Sequence, residues 1–392
     1  SDRYNAGFIN GAPLPSSETD KKAFSFDMFP ASILDNIVIL KTGRPDITGE
    51  FGGGVIDITT KNIPEKNALS ITIGAGDNFQ TTFKDFKTSK NSGKYDWIGM
   101  DDGSRALPKD LPQSAFITIT NKDQGIENAK LFNYNWGFKN IKALPNLNFQ
   151  GSLSNVGLKG KFGSVVALSY NSNNSRTFTD RQTYNYSGSN YDMSKINDYH
   201  DTTYSRQILA SALWNLSYKI TPNHQISLKN IYSINSEDRV ITRRGALDAT
   251  VNTWSTANVR WFTQNNVYSG QLIGDHYFEK PKIKFKWNGG YSNIERDVPN
   301  LSRILRTKTS TEENDDTPYM TNIVNGIVIT PASGGSMLFL HTLENMKSLR
   351  GDISRTFVIG KTKHDVQVGG SSIFRERTFT ARLLGYSYYT KG

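Results

Sequence analysis

Residues 207–220, QILASALWNLSYKI, alternate in character along the chain. Ala210, Ala212, Trp214, Leu216, Tyr218 and Ile220 fall on one face, with Ser211, Leu213, Asn215, Ser217 and Lys219 on the other. A period of two predicts a β-strand with one apolar and one mostly polar face. Thr221-Pro222-Asn223 interrupts the rhythm and His224 to Ile234 resumes it, which predicts a tight hairpin. Further pairs join Asn265–Phe278 to Ile283–Glu295 across Glu279-Lys280-Pro281, and Leu349–Ile359 to His364–Arg382 across Gly360-Lys361-Thr362-Lys363. A fourth pair joins Leu147–Leu153 to Phe162–Tyr170. Segments of this length amount to roughly ten strands. The other strand ends carry polar stretches read as long loops: Asp85–Leu131, Asn171–Thr202, Ser236–Asn258 and Arg296–Glu344. Short turns on one side and long loops on the other are the asymmetry of a transmembrane antiparallel β-barrel.

The first sixty residues follow a different pattern. Asn36–Leu40 (NIVIL) and Val55–Ile58 (VIDI) are short, β-branched runs, predicted as two buried strands. Gly43, Pro45 and Gly49 suit turns between them, and Gly52, Gly53 and Gly54 permit a close backbone approach. Pro30 opens a predicted short helix running through Leu34, ended by Asp35 and Asn36. The glycines are not a phosphate loop, because no Gly-Lys-Ser/Thr follows and a strand stands where a helix would be needed.

Composition sharpens the barrel reading. Hydrophobic residues make up only 36% of the 392, yet there are 18 Tyr, 21 Phe and 6 Trp. No apolar run reaches the roughly 18 residues of a membrane-spanning helix. A barrel reconciles the two, since only alternate residues face lipid and aromatics collect at the headgroups. The net charge of +10 invites a nucleic-acid reading, but no basic cluster with interleaved aromatics supports it. Lys282, Lys284 and Lys286 alternate with Ile283, Phe285 and Trp287, as a strand between a wet lumen and lipid would. The absence of cysteine excludes disulfides and thiolate metal sites.

The stretch Ile33–Lys61 resembles the end of the plug in TonB-dependent outer-membrane transporters. The resemblance rests on Ile37, Val38 and Ile39 before Lys41, then Gly49, Gly53, Gly54, Val55, Ile56, Ile58, Thr60 and Lys61. Arg3–Pro15, Ala23–Pro30 and Lys94–Pro112 (KYDWIGMDDGSRALPKDLP) are similar to pieces of a Bacteroidetes-type branch of that family. The resemblance implies an all-β chain, with residues 1–66 the C-terminal part of a small α+β plug domain. Residues 67–392 would be the N-terminal part of a barrel of about 22 strands with long extracellular loops. It implies a bacterial outer-membrane location, import of a bulky nutrient, and energy delivered by TonB and its inner-membrane motor proteins. Expected partners are outer-membrane lipid and TonB, with a surface lipoprotein or a larger outer-membrane complex as a further partner, and no nucleic acid. Phe51–Lys61, with Gly52 at its start, would sit where plug joins wall. Arg44 and Glu50 would be charged plug residues facing barrel partners. The alternative is a barrel of the same descent serving as a receptor or structural subunit. The chain begins and stops as a middle portion of a longer protein would.

No catalytic constellation emerges, and no cofactor or metal is expected. The five histidines, at 200, 224, 276, 341 and 364, lie far apart in sequence, without HExxH spacing or a GxSxG turn. An enzyme is not expected. Asp101-Asp102-Gly103 and Glu312, Glu313, Asp315 and Asp316 offer oxygen ligands without the spacing of an EF-hand, and read as solvated loop charge. Trp254, Trp261 and Tyr319 are candidates to stack on a ligand, to stand in a membrane girdle or to pack within loops, and no substrate-binding residue is assigned.

Overall fold

The computed structural model describes residues 6–14, 34–43, 54–60, 66–112, 122–132, 136–187, 192–249, 252–321 and 335–385. Two sheets organise it. The small one contains β1 (Ala6–Ile9), β2 (Ala12–Pro13), β3 (Leu34–Leu40) and β4 (Val55–Thr60), in the order β2-β1-β4-β3. β1 runs parallel to β4, and β3 runs antiparallel to it. The β1–β2 hairpin turns on Asn10 (φ 50°) and Gly11 (φ 78°). Two successive positive φ values make the turn that Asn-Gly pairs favour, because its twist matches the flanking strands.

The large sheet begins with β5 (Ala68–Gly76). The chain returns through β6 (Asp85–Ser89), a helix α1 (Lys122–Lys130) and β7 (Phe138–Lys142) to β8 (Asn146–Gly157). The long strands then follow in meander: β9 (Phe162–Ser187), β10 (Asp192–Thr221), β11 (His224–Asp248), β12 (Thr253–Phe278) and β13 (Ile283–Thr309). The short β14 (Met320–Thr321) adds to β13, and β15 (Gly335–Ile359) and β16 (Thr362–Gly385) complete the sheet. All its pairings are antiparallel, in the order β5-β8-β9-β10-β11-β12-β13-β15-β16. Among the described residues, β6 and β7 pair only with each other.

The four predicted hairpins form with their turns in place. Their other ends differ from expectation. Asn171–Thr202 and Ser236–Asn258 are mostly strand, with β9 paired to β10 from Tyr218 out to Asp192 and β11 to β12 from His276 in to Thr253. Thr309 and Gly335 likewise shorten the expected Arg296–Glu344 loop. The ladder continues because backbone pairing needs no apolar face, and the polar composition of these stretches hid it. At about 3.3 Å per residue, strands of 24 to 30 residues are roughly 80–100 Å long. A bilayer requires only about 9–11 residues.

Two smaller expectations also change. Leu34 and Asp35 belong to β3, so the short helix does not reach them, and Pro30 to Ile33 lie outside the described residues. β3 is not buried: Ile37, Val38 and Ile39 are exposed because neither face of this edge strand is covered among the described residues. β4 meets its prediction, with Val55 and Ile58 buried.

The small sheet lies on the polar face of the large one. Ile9, Leu14 and Ile58 form one buried cluster with Val165, Ala167, Leu213, Ile231, Val267 and Ile294. These are the sparse apolar residues of a face otherwise made of Ser211, Asn215, Ser217, Ser233, Ser269 and Gln271, all of them buried. The opposite face is apolar and exposed along the half nearest the short turns: Leu153, Trp214, Tyr218, Leu272 and Leu349 stand there. In β10 that apolar row runs from Ala210 to Ile220, about the length of one bilayer crossing. This is the reverse of a water-soluble sheet, where the apolar face is the covered one.

Adjacent residues of β10 test this assignment of faces. Leu213→Ala opens a cavity under the small sheet and should lower stability by about 2–5 kcal/mol, read as the denaturant midpoint in detergent micelles. Trp214→Ala, at a half-exposed side chain, should shift the midpoint far less.

Candidate functional site

The seat between the two sheets is built around Asn10. Its side-chain oxygen accepts from the Thr60 backbone N–H at 2.9 Å and from Lys229 Nζ at 3.1 Å. Its carbonyl accepts from Asn288 Nδ2 at 3.1 Å, and the Ile9 carbonyl accepts from Gln271 Nε2 at 2.8 Å. Asn215 Nδ2 reaches Thr60 Oγ1 at 3.3 Å. Three strands of the large sheet, β11 to β13, thus hold the first hairpin through neutral or singly charged hydrogen bonds. Each such bond contributes about 0.5–1.5 kcal/mol net, so the seat is specific without being permanent. Asp57 on β4 accepts from the Gly11 N–H at 3.2 Å. Burial raises its carboxyl above the ordinary range, opposed by that N–H and by the nearby Arg350 and Lys229 charges. A small open cleft lies beside the hairpin, between Gly11, Ala12, Arg350 and Ser371.

Of the residues singled out from the sequence, the structure brings several to this seat. Thr60 bonds Asn10, the Gly54 carbonyl accepts from the Ala6 N–H at 3.0 Å, and Val55 and Ile56 pair with Ala6 and Gly7 of β1. Ile37, Val38 and Ile39 lie on the exposed edge strand, with Lys41 just beyond its end. Arg44, Gly49, Glu50, Gly52, Gly53 and Lys61 lie outside the described residues. The partners of the hairpin are less legible in the sequence than the hairpin. Asn10-Gly11 is itself a strong turn signal, whereas Gln271 and Asn288 are isolated polar residues that only the strand alternation marks as inward-facing.

A second assembly occupies the opposite face. Residues 77–112 and 136–145, with α1, form a strap across the far half of the sheet. Phe262 and Gln264 lie an odd number of residues from Val267, hence on the face away from the small sheet. The Arg105 guanidinium lies 4.4 Å from the Phe262 ring, and Gln264 Oε1 accepts from the Asp101 N–H at 2.7 Å. Phe86 meets the Tyr204 ring edge-on at 5.5 Å, and Thr88 Oγ1 donates to Asp238 at 3.1 Å. Phe132 packs on Phe339, and Arg382 donates to the Pro112 carbonyl at 2.8 Å. Gly99, at φ 83°, passes so close to Ser236 that a Cβ would lie 2.5 Å from its hydroxyl, so only glycine fits.

The strap is tied internally by charge. Arg105 bonds Asp96 and Asp101 at 2.5 and 2.7 Å with all three side chains largely buried. Burial opposes the guanidinium charge, but the bonds to Asp96 and Asp101 outweigh it and hold the group firmly protonated. Asp102 accepts from the backbone N–H groups of Lys94 and Ser104, which hold its carboxyl well below the ordinary range. Asp101 and Asp102 are therefore structural braces. Asp315 plays the same part in the next loop, accepting from Lys308, Ser310 and Thr317. Trp254 donates to the Ser310 carbonyl, while Trp261 stacks under Arg239 and Tyr319 under Lys308, so all three pack within the protein. Histidines distant in sequence do meet: His224 and His276 approach to 3.2 Å near the short turns, and His341 lies beside Asp297.

No family model and no curated protein matches the chain. Among solved structures, it is similar to the siderophore receptor PiuA from Acinetobacter baumannii, at 9% identity and a TM-score of 0.33, over 96% of this chain and 54% of that one. It is also similar to the ferric citrate transporter FecA in its unliganded form, at 9% identity and a TM-score of 0.29, over 98% and 52%. The chain spans about half the length of either.

Two outcomes follow for the strap. Arg105→Ala strands Asp96 and Asp101 without a cation and should weaken docking by roughly 3–5 kcal/mol, seen as faster proteolysis within residues 89–112 while the large sheet resists. Because the Asp102 carboxyl is lowered, its contribution is present above the ordinary carboxylate range and is lost as pH falls through the shifted value. Protection factors of the Lys94 and Ser104 amides should therefore persist through the ordinary carboxylate range, about pH 4, and fall only well below it.

Proposed function

We infer that the chain is the plug end and part of the wall of a TonB-dependent outer-membrane receptor. The observation that carries this reading is the inverted burial of the large sheet. Its polar face is covered by a separate small sheet, and its other face bears an exposed apolar band about one bilayer deep. A side chain such as Trp214 gains from lipid there, while Ser233 and Gln271 find partners inward. The motif around Gly54 to Thr60 supports a plug, and the short turns would then face the periplasm. PiuA and FecA are by name a siderophore receptor and a ferric citrate transporter, which suggests a chelated nutrient too large for passive diffusion.

In the mechanism, the small sheet blocks the lumen at rest. TonB, driven by the inner-membrane motor, pulls on the plug, and the hydrogen bonds around Asn10 release and re-form. The seat suits such cycling: its bonds are few and individually weak, and the Asn288, Gln271 and Lys229 side chains can exchange Asn10 for water at small cost. Arg44 and Glu50 are proposed to add charged contacts to the same interface. A surface lipoprotein or a larger complex is a further proposed partner.

The chain has no cysteine, so one introduced disulfide can be read cleanly. A Cβ at Gly290 would lie 3.6 Å from the Ala12 Cβ, within disulfide reach once the Ser348 hydroxyl rotates aside. In the full-length receptor, Ala12→Cys with Gly290→Cys should abolish energised uptake when oxidised and restore it on reduction. Uptake that survives oxidation would mean that this hairpin does not move. A receptor with no TonB-dependent uptake before any substitution would favour the structural-subunit reading.

A further inference from the structure

Just above the apolar band, the outer face of β13 carries Glu295 and Asp297, two residues apart. β15 sets His341 directly opposite Asp297 in register. His341 Nδ1 lies 2.6 Å from Asp297 Oδ1. One ligand atom each from Glu295, Asp297 and His341 falls within 4.8 Å of the other two. Asn266 Nδ2 contacts Glu295 Oε2 at 3.5 Å and steadies it from the neighbouring strand. Asp101 of the strap is close enough to act electrostatically on Asp297, and its own charge is already paired with Arg105. The Glu295 and Asp297 carboxylates therefore converge beside the His341 imidazole. Like charges gathered at a half-buried position repel one another, and a bound cation removes that cost.

We propose that Glu295, Asp297 and His341 bind a divalent first-row transition-metal ion of the Zn²⁺ type, joining β13 to β15 at the lower rim of the strap. One imidazole and two carboxylates make a ligand set suited to such ions, whereas calcium and magnesium favour oxygen alone. A metal held at about 2.0–2.2 Å by both His341 and Asp297 would set their ligand atoms roughly 3 Å apart, a small outward step from the hydrogen-bonded distance. The register of the two strands fixes the pair, so the site is largely preformed. With 41% of the His341 side chain and 29% of the Asp297 side chain exposed, an ion can enter and keep water in its remaining positions.

The molecule contains its own control. His200 and Asp180 make the same 2.6 Å contact, and among the described residues no third ligand joins them within that radius. The test uses the whole protein extracted in detergent, stripped with chelator and dialysed against Zn²⁺, with metal counted by mass spectrometry and Co²⁺ substituted as a spectroscopic probe. One Zn²⁺ per chain should be retained, with affinity falling tenfold or more in His341→Ala and Asp297→Asn and unchanged in His200→Ala. The Co²⁺ absorption of the parent should disappear in His341→Ala. His341→Gln preserves the size of the side chain, and its circular dichroism and heat-modifiable migration show whether the fold survives. No retained metal, or equal retention in a folded His341→Gln variant, would overturn the site.

Discussion

Every second side chain of the large sheet must be satisfied on a face where ordinary β proteins keep their oily core. That requirement governs the rest of the structure. Ser211 and Ser233 share a bond at 2.8 Å, Ser269 and Ser292 another at 3.1 Å, and Gln271 reaches across to the small sheet. An unmet buried polar group costs about 1–3 kcal/mol, so whatever covers a polar face must answer much of it. The small sheet answers part of it with the backbone of one hairpin and a few well-placed side chains. Its apolar anchors, Ile9 and Ile58, meet the scattered Val165, Leu213 and Ile231. Apolar contact seats the small sheet, and polar contact sets its register.

Much of this was legible in the chain. A period of two gave the strands, Thr221-Pro222-Asn223 and Gly360-Lys361 gave turns, and Trp214 and Tyr218 opposite Asn215 and Ser217 gave the faces. What escaped has a common cause. Asp198 to Tyr204 and Glu237 to Thr242 pair as fully as the membrane band does, yet carry polar residues on both faces, so periodicity is silent there. The exposure of Ile37 to Ile39 comes from β3 having neither face covered among the described residues, which an apolar run cannot report. The site is less legible than the fold because its members are gathered from afar: Asn10 meets Asn288, and Asp297 meets His341, through strand register alone.

The two faces divide the labour. On one, a few individually weak hydrogen bonds hold the small sheet. On the other, the buried Arg105 with Asp96 and Asp101 fixes a strap for which departure would strand charge. Neutral contacts suit reversible docking, and paired charges suit permanent attachment, because breaking a buried ion pair is the more costly act.

The strap also bears on the order of events as the chain folds. It belongs to the first connection of the large sheet, but Phe132 rests on Phe339 and the Pro112 carbonyl waits for Arg382, 270 residues further along. Contacts so distant in sequence form late, after the intervening loop entropy has been overcome. The part of the strap around Pro112 and Phe132 thus seats only after β15 and β16 have paired, while its contacts to β10, β11 and β12 can form earlier.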